Sequence, residues 1–379
     1  MDFELQWLLL ALPVAFALGW IGSRIDLGQW KREQKSSPKA YYKGLNLLLN
    51  EQQDKAIDAF IEAVQSDPDT TDLHFALGNL FRRRGEFERA VRVHQHLMQR
   101  ADLAASERER ARYALAQDYL KAGLFDRAEE TYRALAGTVF DTEARLALLQ
   151  LHERSRDWRA AADDAAVLER TGTASFASRI SHHWCELALE ADERGDQPAA
   201  ETALARAREA APGSPRPWVL AGQRHARAGA HTQALASWAV VRQHHAGAFS
   251  LVAQDYAHSA VAAGQVSDAL AVLQGLYVQR PSMDLLRAID ALDADPGRMQ
   301  VRHASHLAQQ PTLSAAAAVL RDEPGKEARS GAIAVIEHAA RPLQRYRCAA
   351  CAFEAQHYFW QCPGCLSWDS YPPQRVEET

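Results

Sequence analysis

Cysteine is scarce in this chain: five in 379 residues. Four of them, Cys348, Cys351, Cys362 and Cys365, lie close together near the C-terminus, and Cys185 stands alone. That distribution excludes a disulfide scaffold and fits a reducing compartment. Positive charge is also short, with 43 Lys and Arg against 48 Asp and Glu, a formal charge of −5. A nucleic-acid binder would need a basic surface, so none is expected here. Proline (15) and glycine (20) are modest beside 47% apolar residues. With alanine dominating the apolar set, that profile suits close-packed helices, and the length allows two or more domains.

Catalytic signatures are missing as well. The chain holds no phosphate-binding glycine loop, no G-x-S-x-G, no H-E-x-x-H and no kinase motif. Asp163 and Asp164 are adjacent, so on a helix they point about 100° apart and read as surface charge. His182-His183 and His244-His245 share that defect. His303 and His306 are three apart, yet without a carboxylate or cysteine at a suitable spacing they read as surface histidines. No base can be named for Cys185, which reads as a small packed or half-exposed thiol. No enzyme is expected.

The four C-terminal cysteines form two C-x-x-C pairs with ten residues between them. Two residues between cysteines let one tight turn present both sulfurs to one ion, and two such turns complete a tetrahedron. Cys362-Pro-Gly-Cys365 also supplies turn formers. A closed four-thiolate site leaves no position for water, so its role is structural. Zinc is the favoured ion, while iron in the same cage would carry one electron. A pair of disulfides or a redox C-x-x-C are the rival readings. Tyr358, Phe359, Trp360 and Trp368 crowd the site, either as its own core or as a patch that docks on the last helices.

At the other end, Leu5 to Gly22 carries no charge. Eighteen residues at 1.5 Å each span roughly 27 Å, enough for a bilayer core. Asp2 and Glu4 precede the segment; Arg24, Lys31, Arg32 and Lys35 follow it. The positive flank predicts a periplasmic N-terminus and a cytoplasmic body. A cleaved signal peptide would have a basic start, and that is missing, with Asp2 and Glu4 in its place.

From residue 37 a pattern recurs at about 34 residues, the period of a tetratricopeptide repeat. Its register runs Gly44, Leu47, Ala56, Phe60, Ala63, Pro68; then Leu77, Gly78, Phe81, Gly85, Ala90, Leu97. Leu115, Ala116, Tyr119, Gly123, Ala128, Tyr132 and Leu135 continue it. A weaker fourth unit has Leu148, Trp158, Ala161 and Leu168. Units with Gly195, Ala200 and Leu204, with Gly222, Gly229, Ala234 and Trp238, and with Gly264, Ala269 and Leu273 follow. Small residues let paired helices approach, and the mid-unit glycine makes the turn. Residues 284–344 stay helical in pattern but lose register, with a break expected at Pro324-Gly325. A concave groove lined by the first helix of each pair is expected to present Asn79, Arg82, Arg83, Tyr113, Gln117, Lys121, Gln223 and Arg227, suited to an extended acidic peptide.

Taken together, the segment Leu5–Gly22, the repeats from Gly44 to Pro281 and Tyr346-Arg-Cys-Ala-Ala-Cys-Ala-Phe with Trp360-Gln-Cys-Pro-Gly-Cys resemble the lipopolysaccharide assembly protein B family over essentially the whole chain. The expected fold class is all-α: a tetratricopeptide-repeat solenoid with an N-terminal transmembrane helix and a small C-terminal rubredoxin-like or zinc-ribbon knuckle. The expected segments are an anchor over 1–22, a linker over 23–36, seven repeats over 37–283, degenerate repeats over 284–344 and the metal module over 345–379. In that family a glycine commonly follows the first C-x-x-C; Ala352 replaces it, at about 1 kcal/mol of strain if the left-handed turn is kept. The resemblance implies a non-enzymatic adaptor at the inner membrane. It would bring the LpxC deacetylase to the FtsH protease, gather lipopolysaccharide assembly proteins and hold one zinc or iron ion; it leaves a homo-oligomer open. A membrane-tethered electron-transfer or redox-sensing protein is the alternative.

Overall fold

The computed structural model describes residues 42–47, 49, 50, 52–66, 70–172, 174–322 and 330–379. They form two compact units, divided between Leu151 and His152. The first holds a helical stretch over 42–47, then α1 (Gln53–Ser66), α2 (Thr71–Arg83), α3 (Phe87–Gln99), α4 (Ala105–Lys121), α5 (Phe125–Arg133) and the start of α6 (Asp141–Ser155). The second continues with α7 (Trp158–Thr171), α8 (Ala177–Glu193), α9 (Gln197–Ala210), α10 (Arg216–Arg227) and α11 (His231–His244). A 3-10 turn (Ala246–Val252) leads to α12 (Ala253–Ala262), α13 (Val266–Gln279), α14 (Met283–Leu292), α15 (Pro296–Gln309), α16 (Leu313–Asp322) and α17 (Ser330–Ala340). The chain ends in a small antiparallel ribbon, β1 (Tyr346–Arg347) paired with β2 (Glu354–Ala355).

Three sequence features make the helix pairs. Alanines at the start of each second helix, Ala56, Ala90, Ala128, Ala161, Ala200, Ala234 and Ala269, are all fully or almost fully buried. A side chain larger than methyl there would hold the two helices apart. Glycines of the first helices form slots for a ring sixteen residues on. A Cβ on Gly44 would stand 2.7 Å from the Phe60 ring, one on Gly78 2.5 Å from His94, and one on Gly222 would overlap the Trp238 indole.

The third feature is the turn. Gly85, Gly123, Gly195, Gly229 and Gly264 have φ between 70° and 79°. Each ends its helix with an N–H to C=O bond five residues back, such as Glu86 to Phe81 (2.9 Å) and Gln265 to Ala260 (2.9 Å). The fourth unit makes the same turn, Asp157 N–H to the His152 carbonyl at 2.9 Å, with Arg156 at φ 60°. A non-glycine in the left-handed region is why that unit reads weakly in sequence.

The all-α repeat architecture with a terminal ribbon is therefore as expected. The segment Leu5–Gly22, Pro68 and Pro324-Gly325 lie outside the described residues. Among the described residues no helix is long and apolar enough to cross a membrane. One expectation is overturned: His303 and His306 are buried, not on the surface. His303 Nε2 meets Asp290 at 2.7 Å and its Nδ1 meets Asp322 at 2.5 Å, tying α14, α15 and α16. His306 Nδ1 is hydrogen-bonded to the Tyr277 hydroxyl at 2.7 Å. Their partners come from other helices, which spacing within one helix cannot reveal.

Candidate metal centre and its seat on the repeats

Each cysteine pair sits on the same backbone device. The Ala352 N–H bonds the Cys348 carbonyl at 2.9 Å, and the Leu366 N–H bonds the Cys362 carbonyl at 2.8 Å. Ala352 and Leu366 lie at φ 63° and 60°, so the left-handed turn is kept without glycine. The Phe353 side chain covers Gly364, where a Cβ would stand 3.3 Å away. These turns bring all four Sγ atoms within 4.8 Å of one another. Cys348 and Cys365 are 3.8 Å apart, Cys351 and Cys362 3.6 Å.

These separations test what the thiols can do. A disulfide needs about 2.05 Å. A tetrahedron with metal–sulfur arms of about 2.3 Å has edges of about 3.8 Å. The donor set therefore fits one four-coordinate ion and leaves no room for a fifth ligand among the sulfurs. Cys348 and Cys362 are buried; Cys351 and Cys365 are exposed. Burial opposes ionisation of Cys348, but the Ser370 hydroxyl and the backbone N–H groups of Cys351 and Ala350 outweigh it and hold the thiol at about 6. The Ser367 hydroxyl lowers Cys365. Cys351 has the Phe353 N–H in its favour, yet burial and the three other sulfurs push it up to about 12. Four clustered thiols cannot all ionise without a cation between them.

Tyr346 and Tyr371 are buried with Cys348 and Cys362, and Tyr358 packs against them, so these rings form the ribbon's own core. Trp360 and Trp368 face outward onto the repeats. Trp368 stacks on His182, with ring centroids 4.6 Å apart and planes 9° from parallel. Its Nε1 donates to Glu153 at 3.0 Å. Glu153 also accepts from His183 Nε2 at 2.7 Å and from Arg179 at 2.7 and 3.1 Å. Burial raises this carboxyl, but His183 and Arg179 bring it down to about 2.

A second latch lies beside the first. Asp369 accepts from His182 Nε2 at 2.8 Å and from the Ser178 hydroxyl at 2.7 Å. Burial holds His182 below its ordinary value, so it is neutral and its Nε2–H donates. Its Nδ1 faces the Arg216 guanidinium at 3.4 Å. Arg216 is buried, pairs with Glu186 at 2.5 Å and lies over both indoles at 5.8 and 5.6 Å. Beyond the ribbon the tail fastens to the last helices. Arg375 grips Asp284 at 3.1 and 3.2 Å, and Glu378 accepts from the Met283 N–H at 2.8 Å.

The docking patch thus reaches α6, α8 and α10, with only the tail reaching the last helices. Glu153, Ser178, Arg179, His182, His183, Arg216 and Asp369 were not legible as a site. Their only signal was two adjacent histidines, His182 and His183, in the first half of α8. Cys185 is fully buried behind this surface, and burial pushes its thiol up to about 12.

The groove residues divide. In the first unit Arg82 is tied to Asp118 at 2.7 Å and to Asn79 at 2.5 Å, and Asp118 meets His94 at 2.5 Å. Tyr113 stacks on Phe140 at 5.1 Å. Gln117 is half-buried, while Arg83 and Lys121 are exposed. In the second unit Arg227 stands 3.6 Å from Asp192, and Gln223 donates to Asp255 at 3.5 Å. Asn79, Arg82 and Tyr113 therefore spend their polar or ring contacts inside the fold.

Residues 346–372 match the family model of the rubredoxin metal binding domain, and residues 43–93 match a tetratricopeptide repeat model. Lipopolysaccharide assembly protein B of Escherichia coli K12 is 32% identical over 383 residues, covering 98% of each chain. The Haemophilus influenzae protein of the same name is 24% identical, covering 99% of each. Among solved structures, Naa15/Naa10 bound to HypK-THB overlays with a TM-score of 0.43 at 15% identity, covering 80% of this chain and 46% of that one. The match at 32% identity over 98% of each chain makes this chain a member of the lipopolysaccharide assembly protein B family.

Proposed function

We propose that the chain is a scaffold for lipopolysaccharide assembly, anchored in the inner membrane by Leu5–Gly22 with its body in the cytoplasm. Cys348, Cys351, Cys362 and Cys365 hold one metal ion, and the ion fixes the ribbon against α8 and α10. The observation that carries this reading is the seat of the ribbon. Every polar group of Trp368 and Asp369 that faces the repeats has a partner there, as expected of a fixed part and not of a mobile electron carrier. Zinc suits a cage with that task, having no redox chemistry of its own.

A scaffold works by raising local concentration, which needs surfaces and no catalytic group. In this reading it brings the LpxC deacetylase to the FtsH protease. The lifetime of LpxC in cells tests it. Deleting residues 1–22, or replacing Cys348 and Cys351 by serine, is expected to prolong that lifetime. An unchanged lifetime in both strains would refute the adaptor role. X-ray absorption at the metal edge of the purified chain is expected to give four sulfur neighbours near 2.3 Å.

A further inference from the structure

Where the ribbon and its tail lie over α10, α12 and α14 they frame a cavity of about 350 Å³. Val219 and Leu251 give it an apolar floor, and Tyr358 and Trp360, edge to face at 5.0 Å, give it an aromatic wall. Its charged residues are unequal. Arg375 and Asp284 cancel each other in a bond of 3.1 Å. Asp255 is exposed and pairs with no cation among the described residues; the Gln223 amide reaches it only at 3.5 Å. One carboxylate is thus left uncompensated beside aromatic faces and an apolar floor.

We infer that this cavity takes a lysine or arginine side chain presented by an extended segment of a partner protein. The alkyl stem lies on Val219, Leu251 and the Tyr358 ring, as long cationic side chains do on apolar surface. The cationic head meets Asp255 and the aromatic wall, where ring quadrupoles add attraction. The Gln223 and Gln254 amides are free to bond the segment's backbone, since each holds its present partner only at 3.5 Å. This reverses the expectation of an acidic peptide for the second unit. It rests on the scaffold reading, because the ribbon must stay seated to form the wall.

The test uses the full, metal-loaded chain in detergent and two fluorescein-labelled probes, Ala-Ser-Val-Lys-Val-Ser and the same peptide with Glu for Lys. Fluorescence anisotropy is expected to show saturable binding of the Lys probe and weaker binding of the Glu probe. Asp255→Asn is expected to weaken the Lys probe by about threefold to fivefold, the size of one exposed ion pair. Gln223→Ala should weaken both probes, and Asp268→Asn, an exposed acid on α13, neither. Melting curves of the variants should match the parent. Equal binding of the two probes, an Asp255→Asn value equal to the parent's, or no saturation up to ~1 mM probe overturns the assignment. If the probe fails while the chain still shortens LpxC lifetime, the scaffold reading stands and the cavity assignment alone falls.

Discussion

Ala352 and Glu153 carry the clearest residue-level consequences. Ala352 adopts φ 63° where a Cβ is unfavourable. Ala352→Gly is expected to stabilise the ribbon by about 0.5–1 kcal/mol, net of the larger chain entropy of glycine. Chemical denaturation of the metal-loaded chain checks it, and a loss of stability would contradict it. Glu153 binds Arg179, His183 and Trp368 at once. Its folded value is depressed to about 2, so its contribution is complete above the ordinary carboxyl range near 4.5 and is lost as pH falls towards 2. The Trp368 environment, read by tryptophan fluorescence, should hold above pH 4.5 and change as pH falls towards 2. Glu153→Gln should cost about 3–5 kcal/mol, because it leaves the Arg179 cation without its counter-charge. Neither residue announces itself in the sequence. Ala352 is visible only as a missing glycine after a C-x-x-C pair. Glu153 stands 215 positions from the indole it binds.

Elements were far more legible than contacts. The period of the repeats is written in small residues, because Ala at a crossing and Gly under a ring are steric requirements that each helix pair must meet locally. Gly222→Ala puts a methyl into the Trp238 indole, which is fully buried. It should cost about 1–3 kcal/mol or more, seen as a lower urea midpoint. Gly275, which has nothing near its missing Cβ, makes the control: Gly275→Ala on α13 should be neutral or stabilising. The α14–α16 helices lost this register, and their tie is polar instead. Asp290 and Asp322 hold His303 above its ordinary value, opposing burial. A raised imidazole stabilises below its unfolded value near 6.5, and that contribution is lost as pH rises through the folded value. Hydrogen exchange in α14–α16 should therefore accelerate between pH 6 and pH 8 more than in α9–α11, once corrected for intrinsic rates. Equal pH dependence would count against the tie.

At the scale of the molecule, the four cysteines were legible because metal binding fixes their spacing. Where the ribbon goes was not legible, because docking joins residues far apart in the chain through ordinary histidines, acids and tryptophans. Once seated, the ribbon is fastened to α6, α8 and α10 through Trp368 and Asp369. A metal ion held there would contribute about 10–16 kcal/mol, as structural zinc does in small peptides, and would fix the ribbon's shape and with it the places of Trp368 and Asp369. Fold and metal are then one equilibrium. The measurement that tests this most directly is hydrogen–deuterium exchange of the full chain before and after the metal is stripped by a chelator. Faster exchange in residues 346–371, and with it at the start of α8 over Ser178–His183, is the predicted result. Exchange that stays unchanged in both segments after complete metal loss would contradict it.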